Sequence, residues 1–128
     1  MTILDSNVWI ALFHEEDTLR AKAHNLLDNI SSKILLPEYV LLEVCSVLKR
    51  LKRKPAADQF LDYVLDNKDI DCFHTSPSLL EETIKLFRAR SQDDLSFIDI
   101  SLLSLSRFHT IHTFDKKLAS AIKKYDRT

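Results

Sequence analysis

The 128-residue sequence contains no glycine. Phosphate loops of the P-loop or Rossmann kind need glycine, because the backbone there takes positive φ or approaches a phosphate closely. Binding of ATP, GTP or a dinucleotide through such a loop is therefore not expected. Cysteine is scarce as well. Cys45 and Cys72 stand in apolar segments with no CxxC pair and no zinc-like spacing, and they read as buried free thiols in a reducing compartment. No apolar run approaches the roughly 18 residues that a membrane span needs. No basic segment followed by a long apolar stretch opens the sequence, so no signal peptide is expected. An excess of either charge is also missing: 18 Lys and Arg face 19 Asp and Glu, for a net charge of −1. No global positive field draws in nucleic acid, so such binding needs a local basic patch or a metal ion. These absences point to a cytoplasmic protein.

What is present is material for a core. Hydrophobic residues make up 45% of the chain and charged residues 29%, the balance of a soluble globular protein. No repeat, low-complexity stretch or linker interrupts it, so residues 1–128 read as a single domain. Short β-prone runs ("TIL", "KILLP", "IDCFHT", "TIHTF") alternate with helical segments. The helices read as "SNVWIALF", "DTLRAKAHNLLDNI", "EYVLLEVCSVLKRLKR", "AADQFLDYVLDNK", "SLLEETIKLFRAR", "FIDISLLSLSRF" and "DKKLASAIKKY", with "SQDDLS" as a loop. In the second helix Leu19, Ala23, Leu26, Leu27 and Ile30 share one face. Ser76 followed by Pro77 is a cap and first-turn signal. Each strand is short and too apolar to face water on one side. This predicts an α/β three-layer sandwich with a central parallel sheet covered by helices.

Four carboxylates stand out against apolar neighbours. Asp5 directly follows the first strand and Asp115 the last. Glu43 shares a helix face with Val40, Val44 and Val47; Asp99 shares one with Leu95, Leu102 and Leu103. A carboxylate on an apolar stripe is costly unless paired or bound to a cation, yet no Lys or Arg lies within a helical turn of Glu43 or of Asp99. In open parallel sheets ligands bind beyond the carboxyl ends of the strands, where Asp5 and Asp115 belong, and the helices bearing Glu43 and Asp99 leave that same edge. Oxygen-only ligands suit Mg²⁺ or Mn²⁺, which keep several waters and accept phosphate. Taken singly, each acid has a plainer role: Asp5 and Asp115 as helix caps, Glu43 as half of an ion pair, Asp99 as a polar helix edge. Asp93 and Asp94 read as loop residues or a cap, with Asp94 at the rim of any site.

The motifs "ILDSNVWIALF", "LLEV" around Glu43, "LSFIDISLL" and "HTFDKKL" resemble the PIN-domain ribonucleases, and among them the VapC-like toxins of toxin–antitoxin pairs. The resemblance spans nearly the whole chain, and the order and spacing of the acids agree. It implies metal-dependent RNA cleavage to a 5′-phosphate and a 3′-hydroxyl. Asp5, Glu43, Asp99 and Asp115 match the family's acidic positions, and Asn7 matches its frequent polar position, where it would orient Asp5. It further implies a homodimer and a small antitoxin partner. Such domains often close with a further short strand, so four to five strands are expected.

The remaining features are less specific. Lys49, Arg50, Lys52, Arg53 and Lys54 form a basic run that reads as a solvated helix end or as a contact for RNA phosphates or an acidic partner. Arg88 and Arg90 carry the same ambiguity. Trp9 reads as core or interface, with base stacking the weaker alternative. The histidines are scattered, and a zinc site is not expected. A phospho-acceptor receiver domain would want an acidic pair after the first strand and an Asp after the third, and "IDCFHT" supplies none. A processing nuclease without a toxin role, or a catalytically silent module on the same fold, would share the pattern above.

Overall fold

The computed structural model describes residues 1–90 and 93–125. Its strands are β1 (Thr2–Leu4), β2 (Ile34–Pro37), β3 (Ile70–Phe73) and β4 (Thr110–His112). Its helices are α1 (Ser6–Phe13), α2 (Arg20–Asp28), α3 (Glu38–Arg50), α4 (Lys54–Asp66), α5 (Pro77–Ala89), α6 (Phe97–Leu105) and α7 (Lys116–Tyr125). The strands form one sheet in the order β3-β2-β1-β4, and every pairing is parallel. Four strands are therefore present among the described residues. Residues 126–128, where a closing strand would begin, lie outside them, as do Ser91 and Gln92 of the "SQDDLS" loop.

Topology fixes the layers. From β1 through β2 to β3 the chain steps steadily toward one edge, and right-handed crossovers place α1 to α4 on one face. It then returns across the sheet to β4 on the opposite edge, which puts α5 and α6 on the other face. The packing agrees: α1 contacts α2, α3 and α4, and α3 contacts α4, while α6 contacts both α5 and α7. The direction of travel reverses between β1 and β4, so the switch point of the sheet lies between Asp5 and the end of β4.

Burial on both faces holds for the centre and fails at the edges. Thr2, Ile3 and Leu4 of β1 are all buried, and so are Ile34, Leu36 and Pro37 of β2. On edge strand β3, Asp71 and Cys72 are exposed. Cys72 is thus a surface thiol rather than a buried one, and Cys45 is half-buried; both are free. Trp9 is fully buried and packs edge-on against Phe60 at 5.4 Å, a core position with no access to a base. The expected apolar face of α2 is thinner than its spacing suggests: only Ala23 is buried, Leu26, Leu27 and Ile30 are half-buried, and Leu19 is exposed.

The lack of glycine shows at the end of α3. The helix was expected to run through Arg53 but stops at Arg50. Arg53 N–H donates to the Leu48 carbonyl at 2.8 Å and Lys52 N–H to Lys49 at 3.0 Å, the paired bonds of a Schellman ending. That ending needs a left-handed residue, and Lys52 supplies it with φ of 60°, at a steric cost glycine would avoid. The basic run is split as a result. Lys49 and Arg50 end α3, Lys52 and Arg53 form the turn, and Lys54 starts α4.

Candidate active site

Asp5 occupies the end of β1 and is also the N-cap of α1. Its backbone N–H donates to the His112 carbonyl of β4 at 2.9 Å, extending the pairing of β1 and β4 by one residue. The carboxylate is buried and every bond to it is a donor. Ser6 N–H donates to Oδ1 at 2.7 Å, while the Thr113 hydroxyl donates to Oδ2 at 2.8 Å and Asn7 Nδ2 at 3.3 Å.

Each of the other acids is linked to this one, by a hydrogen-bonded bridge or by its charge. Ser6 Oγ donates a short hydrogen bond to Glu43 Oε1, so a single serine ties the first acid to α3. Thr113 Oγ1 accepts from Asp115 N–H at 3.0 Å while donating to Asp5, which ties the first acid to the start of α7. Asn7 adds a second strap, with Nδ2 donating to Thr113 Oγ1 at 3.1 Å and Oδ1 accepting from Phe114 N–H at 3.1 Å. Asp99 is near enough for its charge to act on Asp5. Burial, first, raises the Asp5 pKa above its ordinary 3.8; the hydrogen bonds from Thr113 and Ser6 oppose this, and the charges of Asp99 and Glu43 add to it.

Two of the acids also do ordinary structural work. Asp115 Oδ1 accepts from Lys117 N–H at 2.9 Å and from Leu118 N–H at 3.4 Å, so it caps α7. Asp99 forms a capping box with Ser96: its Oδ2 accepts from Ser96 N–H at 3.0 Å, and Ser96 Oγ accepts from Asp99 N–H at 3.1 Å. In both cases one oxygen is occupied. Asp99 Oδ1, Glu43 Oε2 and Asp115 Oδ2 accept no hydrogen bond from the described residues. Ser96 rather than Asp93 or Asp94 is the cap of α6. Asp93 pairs with Arg90 at 2.7 Å and Asp94 with Lys117 of α7 at 3.0 Å.

Sequence reasoning overlooked four hydroxyls. Ser6 and Thr113 join the acids. Tyr39 and Ser101 hydrogen-bond to each other at 2.6 Å, linking α3 to α6. Burial pushes the Tyr39 pKa up to about 12, with Ser101 opposing and the Asp5 charge reinforcing, so this phenol stays protonated near the acids. Ser96-x-x-Asp99 was readable as a capping pattern; no sequence signal marks the other pairs, because each joins residues distant in the chain. Tyr39, Glu43 and Arg50 line one open groove together with Leu42, Ser46 and Ile98. Of the basic run only Arg50 reaches this groove. Lys52 and Arg53 line a different one, beside Arg20 and His24, and Arg53 and Lys54 are paired with Glu16 and Asp58.

The donor set fits a hard divalent cation better than zinc. Among the described residues no three His, Cys, Asp or Glu side chains stand together closely enough to hold a metal ion by themselves. What is offered is carboxylate oxygen: Asp5 within the field of Asp99 and Glu43, and three oxygens without a donor. Mg²⁺ keeps several of its waters and needs few direct protein ligands, so this set suits it.

A parallel α/β sheet thus carries at its switch point a buried Asp5 that feels the charges of Asp99 and Glu43. The chain belongs to the PIN domain family, whose model matches residues 2–124. Its fold is VapC-like. The Mycobacterium tuberculosis toxin VapC20, described as cleaving the sarcin-ricin loop, superposes with a TM-score of 0.84 at 19% identity, over 94% of this chain and 95% of that one. A chain of a toxin–antitoxin complex from Klebsiella pneumoniae superposes with a TM-score of 0.69 at 17% identity, over 93% and 91%. Among curated proteins no significant match is found. No helix among the described residues is long and apolar enough to cross a membrane.

Proposed function

We propose that this chain is a divalent-metal-dependent endoribonuclease acting in the cytoplasm, and the toxin of a toxin–antitoxin pair. The observation that carries the reading is the buried Asp5 carboxylate, tied by Ser6 to Glu43 and by Thr113 to Asp115, and lying within the field of Asp99. Capping accounts for one oxygen of Asp99 and one of Asp115, but bringing the charges of Asp99 and Glu43 to bear on a buried Asp5 is unfavourable in itself, which supports a role for a bound cation.

Asp5, Glu43, Asp99 and Asp115 would hold Mg²⁺ or Mn²⁺, directly or through water. When bound, such an ion lowers the pKa of water and neutralises charge on a phosphate. The chain's own contribution is orientation. Ser6, Thr113 and Asn7 fix both oxygens of Asp5, so that this carboxylate meets its ligand without first losing rotamer freedom. Hydrolysis forms a new P–O bond from water and breaks the bond from phosphorus to the 3′ oxygen, which leaves as a hydroxyl.

Two features support the partner assignments. Leu80, Ile84 and Phe87 form an exposed apolar stripe on α5, and Phe87 packs against exposed Phe97 of α6 at 5.3 Å. This face suits a second copy of the chain. The free carboxylate oxygens would accept an Arg or Lys from an antitoxin in place of the metal, and a toxin–antitoxin complex is among the similar structures.

Incubation of the purified protein with RNA tests the reading. Cleavage in Mg²⁺ or Mn²⁺ is expected, with none in EDTA and none by Asp99→Asn. Full cleavage in EDTA would sink the metal assignment. Expression of the wild type alone should slow growth, and Asp5→Asn should relieve this. Harmless expression of an active enzyme would favour a processing nuclease.

A further inference from the structure

A second groove, outside the acidic cluster, lies between α7 and the segment that leads into α6. Its walls carry Arg90, Lys116, Lys117 and Lys124 against Asp93 and Asp94. That is an excess of two positive charges in a chain whose net charge is −1. Both carboxylates are already engaged, Asp93 by Arg90 at 2.7 Å and Asp94 by Lys117 at 3.0 Å. Lys116 and Lys124 have no acidic partner among the described residues. Leu95 and Ala121 contribute an apolar floor.

Two of these lysines are poorly placed for stability. Lys116 and Lys117 occupy the first turn of α7, where the helix dipole disfavours positive charge. Asp94 and the charge of Asp115 offset this for Lys117; Lys116 has no ion pair among the described residues. The groove also adjoins the acids, since α7 begins at the residue after Asp115. Lys116 and Lys124 are eight residues apart, about 12 Å along the helix, which is room for more than one phosphate.

We propose that the lysine wall of α7 binds the RNA phosphates next to the scissile one, and that Asp94 is a counter-charge which Lys117 exchanges for phosphate when RNA enters. This rests on the ribonuclease reading and names where its substrate lies. RNA is favoured over an acidic protein segment because the groove continues from the acid-bearing end of α7, where the reacting phosphate must be. The basic run Lys49 to Lys54, by contrast, is split between two other grooves and partly paired.

Charge reversal tests it. Binding of a labelled, mixed-sequence single-stranded RNA is measured in an Asp99→Asn background, which blocks cleavage, and KM and kcat are measured in the otherwise wild-type chain with Mg²⁺. Each lysine that neutralises a phosphate contributes about 0.7 to the slope of log affinity against log salt. Lys116→Glu with Lys124→Glu should therefore flatten that slope, weaken binding by about tenfold at low salt, and raise KM while kcat is kept. The effects on melting temperature should oppose one another, because Lys116→Glu removes an unfavourable cation from the first turn of α7 while Lys124→Glu removes a favourable one from its last turn. Asp94→Asn should act in the opposite direction, lowering KM. Unchanged binding and slope in the double variant, with the wild type cleaving normally, would overturn the groove and leave the ribonuclease reading intact. Absence of cleavage by the wild type would remove both. Equal loss of binding to an acidic Asp/Glu peptide, with RNA binding unaffected, would assign the groove to a protein partner instead.

Discussion

Thr113 donates its hydroxyl to Asp5 at 2.8 Å across 108 positions of sequence, and accepts the Asp115 N–H at 3.0 Å in return. One hydroxyl thus joins the ends of β1 and β4 at the switch point of the sheet. Thr113→Val keeps the shape and removes both bonds, together with the one Thr113 accepts from Asn7 Nδ2. It leaves a half-buried N–H without its acceptor, which costs about 1–3 kcal/mol, and deprives Asp5 of the hydrogen bond that most favours its ionised form. Stability should fall, and cleavage should fall further than stability explains. Thr113→Ser, which keeps the hydroxyl, should recover both. If valine is as active as serine, the strap does not position the acid.

Asp99 allows structural and chemical roles to be separated. Asp99→Asn retains an oxygen that can accept from Ser96 N–H while removing a charge that bears on Asp5. The metal-free protein should then melt at the wild-type temperature or above, with cleavage lower by orders of magnitude. Asp99→Ala also breaks the capping box and should lose about 1 kcal/mol in addition. A large loss of stability in the asparagine variant would make Asp99 mainly a cap.

Metal should be visible without any substrate. Bringing Asp5, Glu43 and Asp99 together costs stability that a cation restores, so Mg²⁺ or Mn²⁺ should raise the melting temperature of the wild type. The increase should vanish when Asp5→Asn and Asp99→Asn are combined. An increase that persists in the double variant would place the ion elsewhere.

The sheet and the acids were legible in the sequence because they obey local rules. The first parallel strand ends where its apolar run ends, at Asp5, whereas β4 stops at His112, two residues short of the turn's Asp115; 3.6-residue periodicity put Glu43 and Asp99 on their helices. What held these acids together was not legible. Ser6, Tyr39, Ser101 and Thr113 are small polar residues of ordinary local pattern, and their partners lie on other elements. The edges misled for a related reason: "IDCF" reads as a buried strand, but as β3 it has a neighbour on one side only, and Cys72 faces solvent. The basic run looked continuous until a helix ending, forced through Lys52 for want of a glycine, divided it.

His109 precedes edge strand β4, and burial, followed by the charge of the N-terminus, lowers its pKa below the ordinary 6.5. Its Nδ1 is buried with no hydrogen-bond partner. In the unfolded chain this imidazole takes up a proton near pH 6.5, whereas in the folded chain it does so only at lower pH. Between those values the unfolded state binds more protons, so stability rises with pH. The contribution is complete above 6.5 and is lost as pH falls toward the folded value. His112 on the same strand is shifted the same way by burial alone. Denaturant melts at stepped pH should therefore show stability falling on acidification below 6.5, and His109→Gln should make that fall shallower. The two curves should converge above pH 7, where both imidazoles are neutral in either state. A parallel offset between them at every pH would mean that the substitution acts through packing, and that protonation of His109 has no part in the acid response.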